Sequence, residues 1–456
     1  LTKIYKLAFT NFQEKNMTRE LILEISAVAD QGMALARHGE KVVFIPYGAP
    51  GDTAGVVLRE EKKNYCTGEI VRLLHPSPLR AAPLCRHYGR CGGCSWQHLR
   101  YDAQLAGKNE SFRGFSSKRL RLSDDPFLPP VGSPREYGYR NRAALQIDEK
   151  HPGVAGFAIR RSHDIFSLED CPILRETLRK AAVKVPVFLG NNKHRLTRIE
   201  LQEDLGGSIF GVLYGGKTTP SFMLELAAEL GLSGILHRDG GEGFFTGGKR
   251  LMDFSKSWPE GFLKIGVTPG NFVQANPEVN FALIDCVREL KPLFEGKTVL
   301  DLYCGAGNFT LPLALAAKKV YAVEGYGPSA SDASRNALEN GLGNVEVIHS
   351  PVARALRNPP LSELRPAFCL LDPPRAGCAD ALPSLAHLSP PVIAYVSCSP
   401  PTLVRDLATL QTLGYRTALL RMADMFPQTA HAESFAVLAK EGSAEWDFLT
   451  SLRQSA

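Results

Sequence analysis

Two short segments carry side chains suited to covalent chemistry. Asp372-Pro373-Pro374-Arg375 follows the apolar run Phe368–Leu371, and Ser397-Cys398-Ser399-Pro400 follows Val392–Val396. Short continuous apolar runs of this kind suit strands buried on both faces of a parallel sheet, whose carboxyl edge is where open α/β folds bind ligands. Cys398 is therefore a candidate nucleophile, and a buried strand-end cysteine is the competing reading. A further acid, Glu433, closes Gln428-Thr429-Ala430-His431-Ala432-Glu433, just before the apolar run Phe435–Ala439. Methylation of a uracil ring at C5 would use such a set. That carbon is too poor a nucleophile to take a methyl group unaided, whereas a thiolate added at C6 turns the ring into an enolate with a reactive C5. The C5 proton must then leave before the thiolate does, which requires a general base. Glu433 is the candidate, with His431 second, because a histidine in such a loop is more often a hydrogen-bonding group.

A donor site is expected at Asp301-Leu302-Tyr303-Cys304-Gly305-Ala306-Gly307-Asn308-Phe309-Thr310, which follows the first strand of the same region and opens an apolar helix. Gly305 and Gly307 let the backbone turn sharply and approach a ligand. The next strand ends in Glu324, placed to bind ribose hydroxyls. Thr310 stands where a dinucleotide fingerprint has its third glycine. That favours S-adenosylmethionine, which has no pyrophosphate to cradle, over NAD. A purely structural turn is the alternative.

Cys85, Cys91 and Cys94 are spaced C-x5-C-x2-C, and Cys171, followed by Pro172, is a candidate fourth ligand. Crowded thiols in a reducing compartment are usually metal ligands, and on spacing alone zinc and an iron–sulfur cluster both fit. Gly92 and Gly93 leave room for the chain to wrap such a site. Cys66, Cys286, Cys304, Cys369 and Cys378 are expected to be structural.

Three kinds of chain must hold these groups. From Glu20 to Leu74, short apolar runs (Leu21–Ile25, Lys41–Ile45, Gly55–Leu58) are separated by Gly and Pro, the pattern of a small β-barrel. From Pro76 to Gly270 lie the cysteines, a helical stretch over Tyr101–Arg121 and further Gly- and Pro-punctuated strands. From Lys297 onward apolar strands alternate with helices: Thr298–Tyr303, Val320–Val323, Val345–Ile348, Phe368–Leu371, Val392–Val396, Thr417–Leu420 and Phe435–Ala439, which implies a doubly wound α/β unit.

With 456 residues, 44% hydrophobic and 22% charged, the chain is of ordinary globular composition and long enough for several cores. A formal charge of +6 suits a phosphate-bearing partner. No apolar run is long enough to span a bilayer; even Phe309–Val323 is interrupted by Lys318 and Lys319. Leu1–Asn16 lacks the features of a signal peptide, and Met17 is a possible natural start. The cysteines do not form a secreted disulfide pattern, so the expected compartment is the cytoplasm.

Taken together, the segments Cys85–Leu99, Tyr139–Arg142, Cys171–Leu174, Phe272–Asn276, Asp301–Leu313, Leu371–Arg375, Tyr395–Pro400 and Asp424–Glu433 resemble, in order, the bacterial RNA 5-methyluridine methyltransferases. Within that family the chain is similar to the iron–sulfur enzymes that act on 23S ribosomal RNA. The resemblance implies a Rossmann-like methyltransferase domain (271–456), an N-terminal RNA-binding TRAM or OB-like barrel (17–75) and a central α+β domain (76–270). It implies a [4Fe-4S] cluster on Cys85, Cys91, Cys94 and Cys171. Gln274, Tyr303, Gly305, Asn308, Glu324 and Asp372 would hold S-adenosylmethionine, with Cys398 as nucleophile and Glu433 as proton acceptor. The expected partner is RNA, with no membrane, no obligate protein partner and a monomeric chain. Ser399 stands where the family usually has Asn, Gln428 where it often has His, and Gly325–Ser331 is unusual.

Rival readings make separate demands. A transfer-RNA uridine C5 methyltransferase is the alternative with the same chemistry, and the sequence does not choose between the two RNAs. An amino-group methyltransferase would have an aromatic residue at the position of Arg375, and a radical enzyme would need C-x3-C-x2-C. An RNA-binding iron–sulfur protein without catalysis would not transfer a methyl group.

Overall fold

The computed structural model describes residues 20–29, 32–122, 125–238 and 244–455. The leader comparison over Leu1–Asn16 and the start at Met17 lie outside them. Strands β1 (Glu20–Val28), β2 (Met33–His38), β3 (Lys41–Pro46), β4 (Thr53–Glu61) and β5 (Tyr65–His75) form a closed barrel in the order β1-β2-β3-β5-β4. Alternation along each strand turns Leu23, Ile25, Ala34, Val43, Ile45, Val56 and Cys66 inward to make its core.

A long helix, Tyr101–Leu120 (α1), follows the cysteine-bearing loop. Its buried residues, Gln104, Lys108, Phe112, Ser116 and Leu120, recur every four positions and so form one stripe. Three of the five are polar. Phe112 and Leu120 join the core cluster that includes Leu300, Leu371, Leu403 and Leu407, so the helix packs on the C-terminal sheet rather than on the barrel alone.

The middle of the chain builds a seven-stranded sheet from β6 (Arg142–Ile147), β7 (Ala155–Ala158), β8 (Ile165–Ser167), β9 (Arg198–Glu203), β10 (Ile209–Tyr214), β11 (Leu232–Arg238) and β12 (Phe244–Gly247), ordered β12-β11-β10-β9-β6-β7-β8. Strands β10 and β11 are parallel and are joined by helix Pro220–Leu230. That helix begins with Thr219 Oγ1 accepting from Phe222 N and ends at Gly231 in the left-handed region, the local signals that start and stop a helix. Two short antiparallel pairs follow, β13 (Met252–Asp253) with β16 (Gly266–Val267) and β14 (Lys256–Trp258) with β15 (Gly261–Leu263).

The C-terminal sheet comprises β17 (Thr298–Leu302), β18 (Lys319–Glu324), β19 (Val345–His349), β20 (Phe368–Leu371), β21 (Val392–Ser397), β22 (Arg416–Ala423) and β23 (Glu433–Ala439), in the order β19-β18-β17-β20-β21-β23-β22. The first five are parallel, and β23 runs antiparallel to both β21 and β22. Val299, Val320, Phe368 and Val392 face one apolar layer and Leu300, Cys369, Ile393 and Tyr395 the other, as a sheet covered on both faces requires. Strand order reverses at β17, which opens a crevice beyond its carboxyl end. No described helix is long and apolar enough to cross a membrane.

Candidate active site

Strand β17 stops at Leu302, one residue short of the apolar run, because Tyr303 N and Cys304 N both donate to Val323 O (2.9 and 3.1 Å). Tyr303 takes φ +65° and Gly305 φ +57°, turning the chain across the sheet edge. A Cβ on Gly305 would project into open space beside the backbone, the room that a close-lying ligand takes up. Glu324 fixes this turn. Its carboxylate accepts from Gly305 N at 2.9 Å and from Tyr326 N at 2.7 Å. Thr310, in the place of a third glycine, donates its hydroxyl to buried Asp301 at 2.5 Å and so ties the following helix to β17. Burial pushes the Asp301 carboxyl up to about 7, against the Thr310 hydrogen bond. Asn308 and Asn280 exchange paired amide hydrogen bonds of 2.8 and 2.9 Å on the facing wall.

These groups open onto one cavity of about 940 Å³. Gln274, Tyr303, Gly305, Asn308, Glu324 and Asp372 line it, and so do Cys398 and Glu433. His431 is solvent-exposed and does not line the cavity, so the second-choice base is displaced by geometry. Glu433 is itself the first residue of β23 rather than a residue ahead of it. Cys66, Cys286, Cys369 and Cys378 are buried in the core; Cys304 is buried as well, but it also borders the cavity. The room and the polar wall suit an adenosyl donor beside a flipped base.

Sequence reading undervalued three wall residues. Phe272 is 60% exposed, a large aromatic face left open at the cavity. Tyr326, just past Glu324, receives a hydrogen bond from Arg238 on its hydroxyl at 2.9 Å. Arg375 is the cation nearest the reactive groups, and its loop is seated on the helix that follows Cys398. Thr402 Oγ1 donates to Arg375 O (2.9 Å), and Arg405 donates to Ala376 O (2.8 Å). Gly377 has φ +79°, and any Cβ there would lie 2.4 Å from Arg405 and Asp406, which is why only glycine fits.

Electrostatics distinguish the reactive groups. Burial raises the Cys398 thiol, the nearby Glu433 carboxyl raises it further, and Arg375 opposes both. Burial holds Glu433 well above the usual carboxylate range, with Asp372 adding and Arg375 opposing. Its Oε2 is buried with no hydrogen-bond partner among the described residues. Asp372 is pushed up to about 7, chiefly by burial and then by Asp301, while a hydrogen bond from Gln274 pulls it down. A carboxyl shifted upward is a stronger base once ionised, which is what proton abstraction near neutral pH asks of it.

The four cysteines of the proposed metal site lie away from this cavity. None is in a disulfide, and all four are partly buried. Among the described residues, no three His, Cys, Asp or Glu side chains are grouped as one metal ion requires. The thiols still share a neighbourhood, since Cys94, Cys85 and Cys91 all act electrostatically on Cys171. Burial pushes Cys94 up to about 11, so these thiols would ionise only with a cation present. Arg142 is paired with buried Glu200 at 2.8 Å.

A family model described as tRNA (Uracil-5-)-methyltransferase matches residues 265–441. The chain is 32% identical over 429 residues to the 23S rRNA (uracil(1939)-C(5))-methyltransferase RlmD of Yersinia enterocolitica, covering 92% of this chain and 95% of that protein. It is 33% identical over 435 residues to the protein of the same name from Shewanella amazonensis, with 93% and 97% covered. Among solved structures, the Pyrococcus abyssi tRNA (uracil-54, C5)-methyltransferase in complex with S-adenosyl-L-homocysteine aligns with a TM-score of 0.68 at 24% identity, over 91% of this chain and 99% of that one. That likeness is one of fold.

Proposed function

The chain belongs to the 23S rRNA uracil-C5 methyltransferase family and is an S-adenosylmethionine-dependent RNA uracil-C5 methyltransferase; from that premise we propose that Cys398 is its nucleophile and Glu433 its proton acceptor. One observation carries this reading. The thiol and the unpartnered carboxyl share a cavity with the glycine turn after β17.

S-adenosylmethionine, when bound, supplies an electrophilic methyl group. Gln274, Tyr303, Gly305, Asn308, Glu324 and Asp372 hold it at the carboxyl edge of the sheet. The Cys398 thiolate adds to C6 of the uracil, and the electrons of the C5–C6 double bond move into an enolate. Arg375, beside the sulfur, favours the thiolate over the thiol. C5 would then take the donor's methyl carbon, the sulfonium–methyl bond breaking with its electron pair left on the donor's sulfur. Glu433 removes the C5 proton, the C5–H electrons restore the double bond, and the C6–S bond breaks to return the thiolate.

The substrate is a uridine of 23S ribosomal RNA, bound by a monomer working in the cytoplasm. Residues 17–75 form a TRAM-type RNA-binding domain, 76–270 the central domain and 271–456 the catalytic domain. Cys85, Cys91, Cys94 and Cys171 hold a [4Fe-4S] cluster, which cross-links two distant segments of the chain. Transfer of labelled methyl from S-adenosylmethionine to a 23S transcript, with a transfer-RNA transcript in parallel, tests the assignment. Label at C5 of one uridine of the 23S transcript is expected; label on transfer RNA alone, or methylation by Cys398→Ala, overturns it.

A further inference from the structure

The Glu433 carboxyl has no hydrogen-bond partner on Oε2, so its place depends on the backbone that carries it. That backbone, Asp424–Glu433, is held by polypeptide more than 280 residues earlier in the chain. Gln428 is the node. It has φ +71°, a conformation that non-glycine residues keep only when their surroundings impose it.

Two such surroundings are visible. The Gln428 carbonyl accepts from both Ser95 N (3.1 Å) and Trp96 N (2.9 Å), the two residues after Cys94, and Ala430 N donates to Ser95 Oγ (3.1 Å). Gln104 of α1 closes a reciprocal pair: Gln428 N donates to Gln104 Oε1 (2.8 Å) while Gln104 Nε2 donates to Gln428 Oε1 (3.0 Å). The other cysteine segment reaches the same loop. Gly138 N donates to Pro172 O (3.0 Å) and Arg140 N to Ile173 O (2.9 Å), just past Cys171. Between them, Tyr139 sends its hydroxyl to Pro427 O at 3.0 Å. One cysteine segment therefore grips Gln428 directly, and the other holds the Gly138–Arg140 segment whose Tyr139 grips Pro427.

We propose that Gln428 is a positioning residue for Glu433, and that the Cys94 and Cys171 segments are the anchor from which it is positioned. This rests on the reading of Glu433 as proton acceptor. A group bridging Cys94 to Cys171 would stiffen both grips at once, so the four-thiol site serves the proton-removal step without touching the substrate. A displacement of about 1 Å at a reacting group is enough to cost roughly a hundredfold in rate.

The test uses full-length protein as purified with its iron. Gln104→Met keeps the side-chain length and removes both bonds to Gln428. Its turnover should fall about tenfold to a hundredfold, with KM for S-adenosylmethionine unchanged and methyl label accumulating on a protein–RNA adduct. Amide hydrogen exchange reads the anchor independently of activity: the Gln428 and Ala430 amides should lose protection in Gln104→Met. The Ala430 amide should also lose it in wild-type protein stripped of iron by chelation under oxidising conditions. Unchanged protection in both cases overturns the proposal, as does lost protection with normal turnover and no adduct. Glu433→Gln, run alongside, separates the two ideas, because normal turnover there overturns the role of Glu433 rather than the anchoring.

Discussion

Cys398 and Glu433 are neighbours because β21 and β23 run antiparallel with Ser397 opposite Ser434. The residue that leaves β21 and the residue that begins β23 therefore emerge side by side at the same sheet edge. The parallel partners do the rest. Leu302 pairs with Leu371 and Val323, and Leu371 with Tyr395, so Tyr303, Asp372 and Cys398 directly follow the ends of adjacent strands and Glu324 ends another. In a parallel sheet these ends fall along one line, which is the floor of the cavity.

Separating the two catalytic roles is the most direct test of this edge. Cys398→Ala should abolish methylation, form no covalent RNA complex and still bind S-adenosylmethionine. Glu433→Gln should add its thiolate and accept the methyl group but release the C5 proton slowly, so label from the methyl donor should run with the protein on a denaturing gel. Rate losses of about a hundredfold or more match the removal of a general base.

The Asp301 carboxyl gives the fold a pH signature. Its folded value near 7 lies above the ordinary 3.8, so the acid is neutral at low pH and must ionise in a buried place as pH rises. Stability from this group is fully present below about pH 4 and is lost as pH rises through about 7, by up to roughly 4 kcal/mol. Asp301→Asn keeps an acceptor for Thr310 and should flatten that dependence. Thermal unfolding at pH 5 and pH 8 would show the wild type losing more than the variant.

Lys108 and Asp424 form an ion pair of 2.7 Å with side chains 1% and 0% exposed, which joins α1 to the loop leading to Glu433. Removing one partner leaves a buried unpaired charge, a loss of about 3–5 kcal/mol. Lys108→Met should therefore unfold at markedly lower denaturant, and Lys108→Met/Asp424→Leu should recover part of the loss. Equal stability in the two variants would mean that burial does not isolate this pair.

Iron content checks the four-thiol site. Protein purified without oxygen should be brown and hold about four irons per chain, and Cys94→Ser should lose most of them. Stoichiometric zinc with no visible absorption would replace the cluster by a structural zinc.

Much of the C-terminal sheet was legible in the chain itself, because strands buried on both faces must be continuous apolar runs and the runs at Phe368–Leu371 and Val392–Val396 have no other use. The glycine turn, the acid that ends β18 and the cysteine after β21 then follow from local chemistry. The face of α1 was not legible: Gln104, Lys108 and Ser116 are polar, and the partners that Gln104 and Lys108 bury against, Gln428 and Asp424, lie more than 300 residues away. Sequence ranked Glu433 ahead of His431, two residues before it, only on the usual role of a loop histidine. Strand register supplies the geometry that sequence lacked, since with Ser434 paired to Ser397 the glutamate lines the cavity and the histidine lies exposed. Residue types and spacing thus determined which chemistry the chain can perform, while contacts between distant segments determined which residues meet to perform it, because burial and hydrogen bonding belong to the folded neighbourhood and not to the local chain.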